Sequence, residues 1–242
     1  MGAYQFVTEW LRGLKRNPGQ IFRKSQSWHC PLCDYHGWFV DLGNRRDSRC
    51  PNCASRERDR IIGLYWRRTQ RSFDDASILH FSPEKSIWPL LRCHPGYVSS
   101  DVEPHKRAMR ILDIRKLDCA DESFDYLICN HVLEHVDRDR EAMRECFRVL
   151  KPGGEALFSV PLDDTRAETW NPPPGTPADE IARICGRLHV RLYGRDFPDL
   201  LTAAGFEVSE IEISEEDDAR HRLSSAGVDR VFVARRPAGV GQ

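Results

Sequence analysis

Four of the nine cysteines in this 242-residue chain stand as two C-x-x-C pairs, Cys30-Pro31-Leu32-Cys33 and Cys50-Pro51-Asn52-Cys53. Two thiolates on one tight knuckle reach the same ion, and a second knuckle after a hairpin completes a tetrahedron, so this spacing predicts a structural four-thiolate zinc site. Such a site keeps no open position and does no catalysis itself. His29 and His36 flank the pairs as substitute ligands or, more simply, as surface residues. Two disulfides are the rival pairing, but no signal-peptide pattern precedes the cysteines and the chain reads as cytoplasmic. A second group, Asn130, His131, Glu134 and His135, offers an amide, two imidazoles and a carboxylate within six positions. A third, His189-Val190-Arg191-Leu192-Tyr193-Gly194-Arg195-Asp196-Phe197, combines imidazole, phenol, guanidinium and carboxylate. His189, Tyr193 and Arg195 are candidates to touch a substrate, while Asp196 is equally explained as a helix N-cap.

The second group sits at a definite place in the pattern of elements. Tyr126 to Cys129 is a short apolar run, as expected of a parallel strand covered on both faces, and the polar residues begin where it ends. Ligands of open α/β sheets sit beyond the carboxyl ends of such strands. Apolar residues then recur at Met143, Cys146, Phe147 and Leu150 with helical spacing, and Lys151-Pro152-Gly153-Gly154 ends the helix before a further strand, Ala156 to Val160. Ser77 to Phe81, Tyr97 to Ser100, Met109 to Leu112, Glu207 to Ile213 and Arg230 to Ala234 read as the remaining strands. The fold expected is α/β, a sheet flanked by helices with a small zinc ribbon in front. The domain plan is 1–25 for an amphipathic basic segment, 26–72 for the ribbon and a connecting helix, and 73–242 for the α/β domain.

The block Phe124 to Gly154, FDYLICNHVLEHVDRDREAMRECFRVLKPGG, resembles the motif region of class I S-adenosylmethionine-dependent methyltransferases, and the resemblance extends over roughly Ala76 to Arg236. It implies a Rossmann-like domain, a seven-stranded, mostly parallel sheet flanked by helices, holding S-adenosylmethionine at the strand ends. Asp101, after the second strand, matches the acid that accepts hydrogen bonds from the donor's ribose hydroxyls, with Glu103 as the neighbouring alternative. Asp113 matches the acid that receives the adenine amino group, with the Ile114 backbone at the ring edge. Asn130 and His131 match the turn after the fourth strand. The first loop departs from the family: His80-Phe81-Ser82-Pro83-Glu84 contains no glycine where relatives carry a glycine-rich bend. One reading is a subgroup with a His-Phe-x-Pro-Glu loop in which Glu84 pairs with the donor's ammonium; the other is a loop that no longer holds the donor.

Methyl transfer requires alignment and, for a hydroxyl or ammonium acceptor, removal of a proton, so His131 and then His189 are the candidate bases. The acceptor implied is a small molecule or glycan methylated on oxygen or nitrogen. The Asn-Pro-Pro-Tyr or Asp-Pro-Pro-Tyr signature of nucleic-acid amino methyltransferases is absent after the fourth strand, which leans against base methylation. An RNA methyltransferase using the ribbon and the arginines at 56, 58, 60, 67, 68 and 71, and a non-catalytic binding module, remain the alternatives. The interleaved Glu57 and Asp59 favour internal pairing of those arginines over phosphate contact.

Composition fits a core-bearing domain with an appendage. No apolar run approaches the eighteen or so residues of a membrane span. Net charge is −1 yet uneven: residues 1–74 carry fourteen basic and seven acidic side chains, whereas the rest is acidic on balance. Phe6, Val7, Trp10, Leu11 and Leu14 form one face of a short helix ending at Lys15 and Arg16, suited to a membrane surface, to the protein's own core or to a second subunit. A homodimer is one expectation that follows. The proline-rich stretch Asn171 to Gly175, leading into a helix from Asp179 to Arg187, reads as a lid.

Overall fold

A computed structural model of the chain describes Leu11, residues 26–224 and residues 229–239. The amphipathic segment expected over Phe6 to Arg16 lies outside the described residues apart from Leu11, which is exposed. In chain order the elements are β1 (Trp28–His29), β2 (His36–Gly37), β3 (Val40–Leu42), β4 (Arg45–Arg49), α1 (Glu57–Arg68), β5 (Ile78–Phe81), α2 (Trp88–Leu91), β6 (Tyr97–Asp101), β7 (Arg110–Ile111) and β8 (Phe124–Asn130). They continue with α3 (Asp139–Val149), β9 (Leu150–Pro161), α4 (Ala178–Cys185), α5 (Phe197–Ala203), β10 (Glu207–Glu210), α6 (Glu215–His221) and β11 (Asp229–Arg235). Two compact units emerge: residues 1–72 with 84–91 and 212–226, and residues 73–83 with 92–211 and 227–242.

The second unit is built on a seven-stranded sheet ordered β10-β11-β9-β8-β5-β6-β7. The pairs β5 with β6 and β8, β6 with β7 and β8 with β9 are parallel, and β11 runs antiparallel to both β9 and β10. This is the Rossmann-like, mostly parallel sheet expected from the sequence. Its central strand β8 is buried along nearly all its length, which is why its residues are apolar without alternation. Helix α3 turns Ala142, Met143, Cys146 and Val149 inward at three- and four-residue spacing, and its acids and arginines outward apart from the buried Asp139. Phe158, Phe197, Phe206 and Phe232 extend the same core. Strand β9 begins earlier than expected, at Leu150, because residues of the Lys-Pro-Gly-Gly turn are already in the ladder: Gly153 N–H donates to Arg236 (2.9 Å) and Arg236 N–H donates to Gly154 (3.0 Å).

In the first unit β1 pairs with β2 and β3 with β4, both antiparallel. Helix α1 packs Ile61, Ile62, Leu64 and Tyr65 inward, and its Arg60 is fully buried. That guanidinium donates to the carbonyls of Ser48 (3.0 Å), Ser55 (2.9 Å), His221 (3.0 Å) and Arg222, and lies over the Phe39 ring at 4.7 Å. A buried charge requires this degree of satisfaction. His221 Nδ1 in turn bonds the His29 carbonyl at 2.8 Å. Arg67 reaches Pro31 and Asp34, and Arg68 reaches Glu212 and Asp217.

Candidate functional site

The carboxyl ends of β5, β6 and β8 open onto a cleft of about 220 Å³ lined by Phe81, Ser82, Ser100, Asp101, Val102, Leu112, Ile114, His131, Val132, His135 and Val136. Its walls are aliphatic and aromatic with a few polar groups, the make-up of a small-molecule site. The glycine-free first loop still bends as a glycine turn would. Ser82 takes a left-handed backbone with φ of 45°, and its N–H donates to the Ser100 carbonyl at 2.8 Å. His131, at the end of the neighbouring strand β8, is also left-handed, with φ of 56°. Non-glycine residues in this region cost about 1–2 kcal/mol each and cluster at ligand sites.

Asp101 ends β6 with its carboxylate at the cleft. Oδ1 accepts from the Val102 N–H at 2.8 Å, and Oδ2 accepts from His105 Nε2 at 2.9 Å. His105 Nδ1 accepts the Arg107 N–H, which places the ring proton on Nε2. Burial pushes the Asp101 carboxyl up, but the bonds from His105, the Glu103 and Val102 amides and Ser82 outweigh it and hold the acid below its ordinary value. Oδ1 also accepts the Glu103 N–H, at 3.4 Å. The Ser100 hydroxyl is buried and has no hydrogen-bond partner, an orphan that a ligand in the cleft would satisfy.

The structure brings Phe81, Ser82, Asp101, Ile114 and His131 to one cavity and places the other expected residues elsewhere. His80 is buried in the sheet with Nδ1 against the Tyr97 hydroxyl at 2.9 Å. Glu84 belongs to the first unit, where its charge faces Asp59. Asp113 is gripped by Arg115, with Nη2 to Oδ2 at 2.6 Å, and that guanidinium holds the acid below its ordinary value. Only its neighbours Leu112 and Ile114 line the cleft. Asn130 is buried and accepts from the Ser159 hydroxyl. Tyr193 is wholly buried, donates to Asp139 at 2.8 Å, and has its phenol pushed far above the ordinary value by burial. That environment suits a structural tyrosine. His189 stacks edge-on against His135, with ring centroids 4.8 Å apart. Arg195 caps the Asp164 carbonyl, and Asp196 opens α5 without a side-chain cap bond because its carboxylate accepts from Thr169 at 2.7 Å.

One contributor escaped the reading of the sequence, and two named in it had no role assigned. His105 orders Asp101 from four residues away, His135 lines the cleft from the 3-10 turn Leu133–His135, and Arg191, only 5% exposed, staples that turn. The Arg191 guanidinium donates to the carbonyls of Leu133, Val136 and Asp137, and pairs with Asp139 at 3.2 Å. The His131 to His135 spacing was a visible signal for the second; the carbonyls that Arg191 meets are more than fifty positions away. Gly194 in the same segment admits no side chain, since a Cβ there would lie 2.6 Å from the Glu168 backbone.

In the first unit the four cysteine sulfurs converge, all lying within 4.8 Å of one another. Cys30 and Cys53 are 3.6 Å apart and Cys33 and Cys50 3.7 Å, far beyond a disulfide and close to the ~3.8 Å edge of a tetrahedron with 2.3 Å metal–sulfur bonds. The two knuckles repeat one geometry. Asp34 N–H donates to Cys30 and Ala54 N–H to Cys50, and both Asp34 and Ala54 are left-handed.

A family model described as a methyltransferase domain matches residues 97–158. Among curated proteins, the chain is 33% identical over 152 residues to a probable S-adenosylmethionine-dependent methyltransferase of Mycolicibacterium smegmatis, covering 62% of this chain and 45% of that protein. It is 35% identical over 100 residues to the arsenite methyltransferase of Aquipseudomonas alcaligenes, covering 40% and 26% respectively. It therefore spans less than half the length of these relatives. The fold matches the crystal structure of the [4+2]-cyclase SpnF with a TM-score of 0.52 at 16% identity, covering 86% of this chain and 90% of that one. The sheet order and the matched segment make this domain similar to class I S-adenosylmethionine-dependent methyltransferases.

Proposed function

We propose that the protein is an S-adenosylmethionine-dependent methyltransferase that methylates an oxygen or nitrogen atom of a small-molecule or glycan acceptor. The observation that carries this reading is the cleft at the ends of β5, β6 and β8, where the ionised Asp101, the orphan Ser100 hydroxyl and apolar walls meet. These residues fit the donor: Asp101 would take the ribose hydroxyls, the Ile114 backbone and the walls from Leu112 and Val136 the adenine, and the Ser82 turn would let the methionine half approach. S-adenosylmethionine supplies an electrophilic methyl group when bound. His131, on the cleft and 3.1 Å from Glu134 through Nδ1, would take the acceptor's proton. The relative named arsenite methyltransferase supports a small acceptor over a polymer. The internal engagement of Arg60, Arg67 and Arg68 gives no support to an RNA track on α1. The four-cysteine cluster we assign to structural zinc.

Calorimetric titration with S-adenosylmethionine and S-adenosylhomocysteine tests the donor. Micromolar binding of both is expected, with Asp101→Ala weakening it at least about tenfold, or about 1.4 kcal/mol. Absence of heat and of thermal shift with either would sink the reading and leave a binding module.

A further inference from the structure

Glu134, His135 and His189 present one ligand atom each within 4.8 Å of one another, beside the cleft that His135 lines. Three features mark this as more than a chance cluster. The Glu134 carboxylate is 1% exposed and neither oxygen makes a hydrogen bond, with His131 Nδ1 at 3.1 Å and His135 Nε2 at 3.9 Å from Oε1. A buried carboxylate in that state costs several kcal/mol unless a cation compensates it. Both imidazoles are anchored through Nδ1, His135 to the Leu188 carbonyl at 2.9 Å and His189 to the Cys185 carbonyl at 2.7 Å. A carbonyl can only accept, so each Nδ1 carries the proton and each Nε2 offers its lone pair, the outer-shell arrangement of metal-binding histidines. The backbone is braced as well: Val190 N–H donates to the Glu134 carbonyl at 2.8 Å, tying the His189 segment to the 3-10 turn.

We propose that Glu134, His135 and His189 form a second metal site, binding a divalent first-row transition ion such as zinc through two imidazoles and one carboxylate. Nitrogen ligands favour such an ion over magnesium or calcium. Bond lengths of about 2.1 Å require the ligand atoms to draw together by about 1 Å, within side-chain rotation. Three protein ligands leave positions open, so an acceptor hydroxyl could bind the ion and release its proton more readily. That last use rests on the methyltransferase reading; ion binding does not.

The test is metal stoichiometry on the full chain. With the four-cysteine cluster loaded by one equivalent of zinc, calorimetry is expected to show a second equivalent binding with micromolar affinity, and magnesium to give none. His189→Ala and Glu134→Gln should each weaken the second equivalent at least about a hundredfold and keep the first. In parallel, 15N spectra should show the Nε2 resonances of His135 and His189 moving together on addition of the second equivalent, a readout that needs no variant to fold. Uptake of only one zinc, equal response to magnesium, or retention of the second ion by His189→Ala would overturn the site. Zinc binding without donor binding would leave the site standing and remove the methyltransferase reading alone.

Discussion

At the scale of single residues the site is set by backbone strain and by what surrounds one carboxylate. Ser82 occupies a left-handed position that a β-branched side chain cannot adopt comfortably. Ser82→Gly is therefore expected to leave stability within about 1 kcal/mol of the parent, and Ser82→Val to lose about 2 kcal/mol or more, measured by denaturant unfolding. Equal losses for the two would mean that the turn does not need φ above zero. Asp101 is held below its ordinary pKa by His105, the neighbouring amides and Ser82 acting against burial. A lowered acid stays charged until the pH falls through its folded value, so the binding it supports persists at neutral pH and is lost only in acid. His105→Ala removes one donor and should raise the Asp101 midpoint, read from its carboxyl 13C titration; an unmoved midpoint would show that the amides alone hold it. Both devices use residue types the sequence displays, but the φ of Ser82 and the tautomer of His105 follow from partners that only folding supplies.

Elements fix where those residues stand. The 3-10 turn Leu133–His135 carries His135 to the cleft, and Arg191 holds it by donating to three of its neighbouring carbonyls. A lysine cannot reproduce a planar fork of five donors, so Arg191→Lys should cost about 2–4 kcal/mol and weaken donor binding together, checked by unfolding and calorimetry. Loss of stability with donor affinity intact would confine Arg191 to the core. Helix α6 opens with a reciprocal cap, Ser214 hydroxyl with Asp217 N–H at 3.1 Å, and Asp217 also meets Arg68. Against the upward push of burial, bonds from Ser214 and Arg68 bring the Asp217 pKa down to about 2. Its contribution is complete above the unfolded value near 4 and disappears as pH falls toward 2. Melting temperatures of Asp217→Asn should accordingly fall less steeply than those of the parent between pH 4 and 2; parallel curves would show that Arg68 and Ser214 do not stabilise the charged form. The strands and α3 were legible because apolar runs and helical spacing report burial directly. The Arg191 staple was not, because nothing local distinguishes it from the surface arginines around it.

At the scale of the whole molecule, the units differ in what holds them. The second has a continuous apolar core from Leu79 to Ala234, whereas the first has short two-stranded ladders, a buried arginine and four convergent sulfurs. Metal binding to such a cluster is coupled to folding. Cys33→Ser or a strong chelator is expected to expose the amides of residues 26–72 to hydrogen exchange while those of β8 and β9 stay protected. Unchanged protection of residues 26–72 would mean the unit folds without its ion. No helix among the described residues is long and apolar enough to cross a membrane.

The sequence by itself determined the sheet, its order of elements and the four-cysteine knuckles, because period, glycine placement and ligand spacing are local properties that act before tertiary contact. It also marked Asp101 and His131 through their places after strands. Tertiary structure alone decided which candidates share a cavity. Tyr193 and His80 turned into the core, Asp113 was claimed by Arg115, and Glu134, His135 and His189 met across more than fifty residues. The physical reason is that a polar side chain's role depends on who satisfies it, and those partners are chosen by packing between elements distant in the chain.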